Sequence, residues 1–339
     1  MIKFGYAAQQ EQHHPLALLS HARLAEKAGF DSIWSSDHFH PWADKDAHSA
    51  FAWIWLASAA ERTSKVSLGT TVTSPILRYN PALVAQAFAT LAVLYPNRIF
   101  LGLGTGEAMN EVPIGYNWPP FKERLARLEE AIRIIRALWT QSRVNFKGKY
   151  YNLRKANLYT KPEKPPPLYV AASGRRTSRV AGKLADGLLT LPAGQISNMN
   201  KADFYRDVIF QGLEEGAREA GRDVSRVDRA IAITSSYDED YDRALESLRF
   251  WGGTLLPAFF DLGISDPRVI EEHGLKVGKD AFEKAWLIAT SPEDIVKSIE
   301  EYIHLGFSNI VLISSSPSQD KYIDVVGSKV LPYFRKTLK

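Results

Sequence analysis

The sequence contains no cysteine among its 339 residues. That absence excludes disulfides, thiolate-held metals and a thiol nucleophile together. No stretch of about 18 uninterrupted apolar residues occurs, so no membrane-spanning helix is expected. The opening Met1-Ile2-Lys3-Phe4-Gly5-Tyr6 reads as a strand and lacks the regions of a secretion signal, so a cytoplasmic location is expected. An excess of charge of one sign is also missing, since 42 Lys and Arg face 38 Asp and Glu for a net +4. Basic residues alternate with acids, as in Lys122-Glu123-Arg124 and Arg127-Leu128-Glu129-Glu130. This reads as solvated helix surface rather than a nucleic-acid-binding face. There is no Gly-x-Ser-x-Gly elbow and no P-loop. His13, His14, His21, His48, His273 and His304 lack metal-ligand spacing with neighbouring acids, so no metal is expected. The His13-His14 pair precedes a helix and reads as surface.

What the chain does have is alternation. Short apolar runs at 2–7, 32–36, 66–72, 99–104, 168–172, 187–191, 230–235 and 309–314 are separated by amphipathic stretches such as 16–28, 82–94, 121–138, 206–220, 292–305 and 322–338. Continuous Val/Ile/Leu runs are the pattern of strands buried on both faces. Ser291-Pro292-Glu293-Asp294 carries an N-cap, a proline at the first helical position and acids in the first turn, which marks a helix start. Eight strand–helix units in one chain predict an α/β fold, a closed (β/α)8 TIM barrel over residues 1–339. Two insertions interrupt it, a hairpin within 143–166 around Lys147-Gly148-Lys149 and a long excursion at 251–284. Excursions of that kind usually cover an active site.

In such a barrel, polar residues just after a strand point into the site. The second strand is followed by Ser36-Asp37-His38-Phe39-His40-Pro41-Trp42, where a histidine beside an acid and aromatics can serve as a general base. The fourth is followed by Gly102-Leu103-Gly104-Thr105-Gly106-Glu107-Ala108-Met109-Asn110-Glu111. Its glycines permit close backbone approach to a ligand, but the spacing is not a dinucleotide fingerprint. After the fifth, Ala171-Ala172-Ser173-Gly174-Arg175-Arg176 opens a helix and offers an anion site. After the third, Gly69-Thr70-Thr71-Val72-Thr73-Ser74-Pro75 supplies hydroxyls suited to a ligand wall.

Together these motifs, with Arg78-Tyr79-Asn80-Pro81 and Leu94-Tyr95-Pro96-Asn97-Arg98, make the chain resemble the bacterial-luciferase-like flavin and deazaflavin barrels. Within them it resembles the branch that uses coenzyme F420, in particular its secondary-alcohol and glucose-6-phosphate dehydrogenases. The resemblance covers nearly the whole chain. It implies that His38 takes the substrate hydroxyl proton, that Trp42 orients the substrate and that Glu107 handles the proton at the deazaflavin ring. It places Asp37, Thr71, Val72, Ser74, Gly106, Asn110, Ala171, Ala172, Ser173 and Gly174 against the coenzyme, with a cis peptide between Thr71 and Val72. Glu11 matches a further pocket acid, while Trp251, Leu255, Leu256, Phe259 and Phe260 read either as walls of an apolar substrate pocket or as core of the excursion. A homodimer acting on a small molecule is also implied.

The sugar-phosphate branch grips its phosphate with basic residues. Here Gly194, Asp261 and Ala285 align with them, and Lys284 is the one neighbouring cation. The resemblance therefore favours hydride transfer from a small secondary alcohol to F420. A sugar-phosphate dehydrogenase and, behind it, a flavin monooxygenase of the same fold stay open.

Overall fold

The computed structural model describes residues 2–337. Eleven strands form, β1 (Lys3–Ala8), β2 (Ser32–Ser35), β3 (Ser67–Thr70), β4 (Leu101–Leu103), β5 (Val144–Lys147), β6 (Asn152–Ala156), β7 (Leu168–Ala171), β8 (Gly187–Thr190), β9 (Asp228–Tyr237), β10 (Leu287–Ala289) and β11 (Asn309–Ser314). The order β3-β2-β1-β11-β9-β8-β7-β4 is parallel throughout. Parallel bridges Leu68–Ile99 and Thr73–Leu103 join its two ends and close the barrel. The eight strands are those expected from the apolar runs. The hairpin is also present, as the antiparallel pair β5–β6. β10, which the sequence reading left inside a connection, extends the sheet beside the C-terminal end of β9. The last helix runs to Thr337, and its expected end at 338 lies outside the described residues.

The barrel interior is filled by side chains, as such cores require. Trp34 stacks near Phe100 and Tyr169, with ring centroids 4.3 and 5.1 Å away. Glycines on neighbouring strands make room for these three rings. A Cβ at Gly5 would lie 2.6 Å from Trp34, one at Gly69 2.3 Å from Phe100, and one at Gly187 2.2 Å from Tyr169. The larger apolar layer lies between the strands and the surrounding helices.

The excursion after β9 is helical, with segments Arg249–Leu255, Pro257–Leu262, Pro267–Gly274 and Lys279–Ala285. It has its own apolar cluster, which takes in Trp42 from the β2 loop and Met109 from the β4 loop. The excursion is therefore packed onto the C-terminal mouth of the barrel. Glu271 Oε2 accepts from the Asp44 and Lys45 amides at 2.9 and 3.1 Å, which ties the two parts together. His14 is exposed and accepts from Leu16 N at a helix start, as a surface residue would. His13 differs from expectation. It is half-buried against His21, with centroids 5.7 Å apart, and burial pushes its imidazole down to about 4.

Candidate active site

His38, Glu107 and Glu11 converge from three different loops. His38 follows β2, Glu107 follows β4 and Glu11 follows β1. His38 Nε2 lies 3.3 Å from Glu11 Oε1 and 3.3 Å from Glu107 Oε2. His38 Nδ1 lies 3.1 Å from the His40 carbonyl. Asn110 Nδ2 lies 3.4 Å from the same nitrogen, so Nδ1 is held by protein and Nε2 is the nitrogen turned toward the two carboxylates. Glu11 is buried and accepts from the Ser36 hydroxyl, which in turn accepts from Gln10 N at 2.8 Å.

Glu107 follows Gly106, whose φ of +74° and missing Cβ let the chain pass Ser74; a Cβ there would lie 2.5 Å from Ser74 Oγ. Protein encloses most of the Glu107 carboxylate, whose side chain is 30% exposed. That burial raises its pKa above the ordinary carboxylate range, and the nearby His38 acts in the opposite direction. Asn110 fixes the geometry between the two groups. Its Oδ1 accepts from Phe39 N at 2.8 Å, which leaves Nδ2 as donor to Glu107 Oε2 at 3.3 Å.

Trp42 closes one wall, with its ring centroid 5.9 Å from His38 and 5.4 Å from Phe260. It lines a cleft together with Gly106, Glu107, Met109, Phe259, Phe260 and Ile264, among others. Trp251 stands back from this cleft. Its Nε1 donates to Gln12 Oε1 at 3.1 Å, and Gln12 Nε2 donates to Ser315 Oγ at 3.0 Å. It braces the excursion against the β1 and β11 ends. Leu255 and Leu256 pack in the same apolar cluster, outside the cleft wall.

The floor behind the cleft comes from β3 and β4. The Thr71–Val72 peptide is cis. Gly104 faces this peptide, and a Cβ there would lie 2.6 Å from Val72 Cγ2. Asp37 is engaged entirely by protein. Oδ2 accepts from Thr73 Oγ1 at 2.6 Å, while Oδ1 accepts from Arg78 Nη2 at 3.0 Å and from Tyr79 OH at 3.2 Å. At the β7 end, Ala171, Ala172 and Ser173 lead to Gly174, the N-cap of the helix Arg175–Leu184. No side chain caps this helix, and a Cβ at Gly174 would meet nothing within 4 Å. Arg175 is paired with Glu215, so of the two arginines read as an anion site only Arg176 has no carboxylate partner among the described residues.

Two features of the cleft were absent from the sequence reading. Trp118 and Arg124 line it, with the guanidinium stacked 4.4 Å from the Trp118 ring. Arg124 had been grouped with solvated surface because its neighbours Lys122 and Glu123 alternate in charge. The helical phase of Phe121–Thr140 instead turns it inward. The positions aligned with a phosphate grip are also settled in space. A Cβ at Gly194 would lie 2.0 Å from the Lys284 carbonyl, and Lys284 Nζ donates to Asn198 Oδ1 at 2.8 Å.

Comparison with known proteins agrees with this architecture. The model of the luciferase-like monooxygenase family matches residues 2–309. An F420-dependent glucose-6-phosphate dehydrogenase of Intrasporangium calvum is 41% identical over 99% of both chains. One from Segniliparus rotundus is 41% identical over 98% of both. Among solved structures, an F420-dependent secondary alcohol dehydrogenase in complex with an F420-acetone adduct is 42% identical. Its TM-score is 0.93, over 98% of both chains. The coenzyme F420-dependent tetrahydromethanopterin reductase of Methanopyrus kandleri is 25% identical with a TM-score of 0.81, covering 98% of this chain and 99% of that one. With its closed parallel barrel, its cis peptide behind the cleft and a family match spanning most of its length, the chain belongs to the luciferase-like family.

Proposed function

We propose that this protein oxidises a small secondary alcohol with coenzyme F420 as the hydride acceptor. At the coarser level it is an F420-dependent oxidoreductase of the CH–OH type, as the relatives named for F420 across nearly the whole chain support. The observation that carries the alcohol reading is the closure at Gly194. Any side chain at this position collides with the backbone at Lys284, so a phosphate-gripping lysine cannot stand at 194. Trp42, Met109, Phe259, Phe260 and Ile264 supply the apolar part of the cleft wall, and Glu107 and Arg124 its ionisable groups. Such walls with a few convergent polar groups suit a small organic substrate.

The residues present fit the coenzyme. Thr71, Val72, Gly104 and Gly106 form a wall close to backbone, and the uncapped helix start at Gly174 has open space for a phosphate among Ala171, Ala172 and Ser173. F420, when bound, supplies a deazaflavin ring that accepts a hydride. His38 Nε2 takes the hydroxyl proton as the carbinol carbon gives up its hydride, and Trp42 holds the substrate over the histidine. Glu107 holds a proton at its cleft-facing oxygen, and its raised pKa keeps that proton available nearer neutrality. Two ionisable groups in different environments thus divide the proton traffic.

A second reading, oxidation of a sugar phosphate, is favoured by the names of the curated relatives at about 41% identity. Titration with F420 and FMN, followed by addition of 2-propanol and recording of the F420 absorbance, tests the first reading. Tight F420 binding and bleaching by the alcohol are expected. Preferential FMN binding or an unreactive alcohol would count against it. The homodimer is proposed on the resemblance and on the exposed Ile54 and Leu83 of the outer helices. Sedimentation velocity is expected to give twice the chain mass.

A further inference from the structure

We infer that Arg124 is a specificity-determining residue that receives a carboxylate on the substrate, so that the preferred alcohols are hydroxy acids. The inference rests on the alcohol reading above and narrows its substrate class.

Arg124 shares the cleft with Glu107 and Trp42. Its Nε donates to the Pro119 carbonyl at 3.1 Å, and its guanidinium lies 4.4 Å from the Trp118 ring and 5.6 Å from Phe121. Those contacts fix the plane of the fork and leave both Nη groups without a hydrogen-bond or carboxylate partner among the described residues. The acid next to it in sequence, Glu123, is taken by Arg127 at 2.8 Å. The support beneath Arg124 is itself held. Gly263, at φ +68°, packs where a Cβ would lie 2.8 Å from Trp118 Cδ1. A half-buried, oriented guanidinium with two free N–H edges is built for a planar carboxylate, which it can bind through two parallel hydrogen bonds.

The charge of the ligand follows from the surroundings. Glu107 and Asp261 are the acids that act on Arg124. With Glu107 protonated, as proposed above, Asp261 is the remaining acid, and it opposes a phosphate dianion more strongly than a carboxylate monoanion. A carbinol at His38, which touches Glu107, and a carboxylate at Arg124, on the cleft that Glu107 also lines, describe a hydroxy acid.

The test compares 3-hydroxybutanoate with 2-butanol as hydride donors to F420, for wild type, Arg124→Gln and Arg124→Lys. The ratio of kcat/KM, acid over neutral alcohol, is expected to exceed one in wild type. It is expected to fall roughly 10–100-fold in Arg124→Gln, the loss of hydrogen bonds to a charged group. Arg124→Lys is expected to lie between, because it keeps the charge without the fork. Calorimetric titration of the coenzyme-free protein with 3-hydroxybutanoate gives a second readout, with heat in wild type and none in Arg124→Gln. A wild-type ratio at or below one, or equal losses on both substrates in Arg124→Gln, would overturn the inference while leaving alcohol oxidation standing. Turnover of neither compound would remove the alcohol reading, and the inference with it.

Discussion

Replacing Asp37 with Asn tests how the site floor is held. The Asp37 side chain is 1% exposed and its partner Arg78 5%, with Nη2 and Oδ1 3.0 Å apart. At that separation the gross attraction is about 5 kcal/mol for an effective dielectric of ~20. Desolvation offsets much of this in the intact pair, so the pair itself adds little. Removing one charge is different, because the guanidinium stays buried. Arg78 Nε already lacks a partner among the described residues, and the Asn amide would turn a donor toward either Arg78 or Thr73. Breaking such a pair from one side costs roughly 3–5 kcal/mol. With an m-value of roughly 3 kcal/mol per molar urea, the midpoint is expected to fall by about 1–1.7 M at unchanged m. Asp37→Asn/Arg78→Met removes both charges and is expected to recover more than half of the loss. Equilibrium urea unfolding followed by circular dichroism reads both values. A loss in Asp37→Asn below about 1 kcal/mol, or a double variant as unstable as the sum of the singles, would refute the reasoning.

Four further outcomes follow from the structure. His38→Ala is expected to lower kcat by roughly 10²–10⁴-fold, the range for loss of a general base, with F420 affinity retained in a binding titration. Glu107→Gln is expected to remove from the pH–rate profile a limb that lies above the ordinary carboxylate range, since burial raises the Glu107 carboxyl. Burial also pushes Glu111 up to about 7, against the Arg78 amide that hydrogen-bonds to it. Its folded-state pKa lies above the unfolded one, so wild type is expected to lose stability relative to Glu111→Gln as pH rises from about 4.5 through 7; urea midpoints across that range check the slope. Gly194→Ala places a methyl against the Lys284 carbonyl and is expected to cost about 1–3 kcal/mol, as overpacking does, measured the same way.

Much of this site was legible because barrel chemistry sits at strand ends. Once the runs at 32–36 and 99–104 are read as strands, His38 and Glu107 must lie at the mouth, and the structure puts them 3.3 Å apart. The cis peptide at Thr71–Val72 likewise falls where the family resemblance put it. Glu11 was harder to place from residues alone, since it lies three residues past β1 and its contact with His38 joins two loops. Trp251 was an aromatic in a long excursion, and composition cannot separate a cleft wall from a brace; its bond to Gln12 makes that distinction. Arg124 was missed for a physical reason. Charge alternation reports the solvated stripe of a helix, but the first turn of Phe121–Thr140 is also turned toward the cleft by the Pro119 carbonyl and the Trp118 ring. Strand β10 has three residues, too few for a periodic pattern to show.

The central claim, alcohol oxidation by F420 at a site without a phosphate grip, is tested most directly by one ratio. It is kcat/KM for 2-propanol over that for glucose-6-phosphate, measured as the loss of F420 absorbance with the same wild-type preparation. Gly194 closed against Lys284, the negative Asp261 acting on Arg124 and Lys284 held by Asn198 give a ratio above one, with the sugar phosphate poor or inert. A clear preference for glucose-6-phosphate would contradict the account.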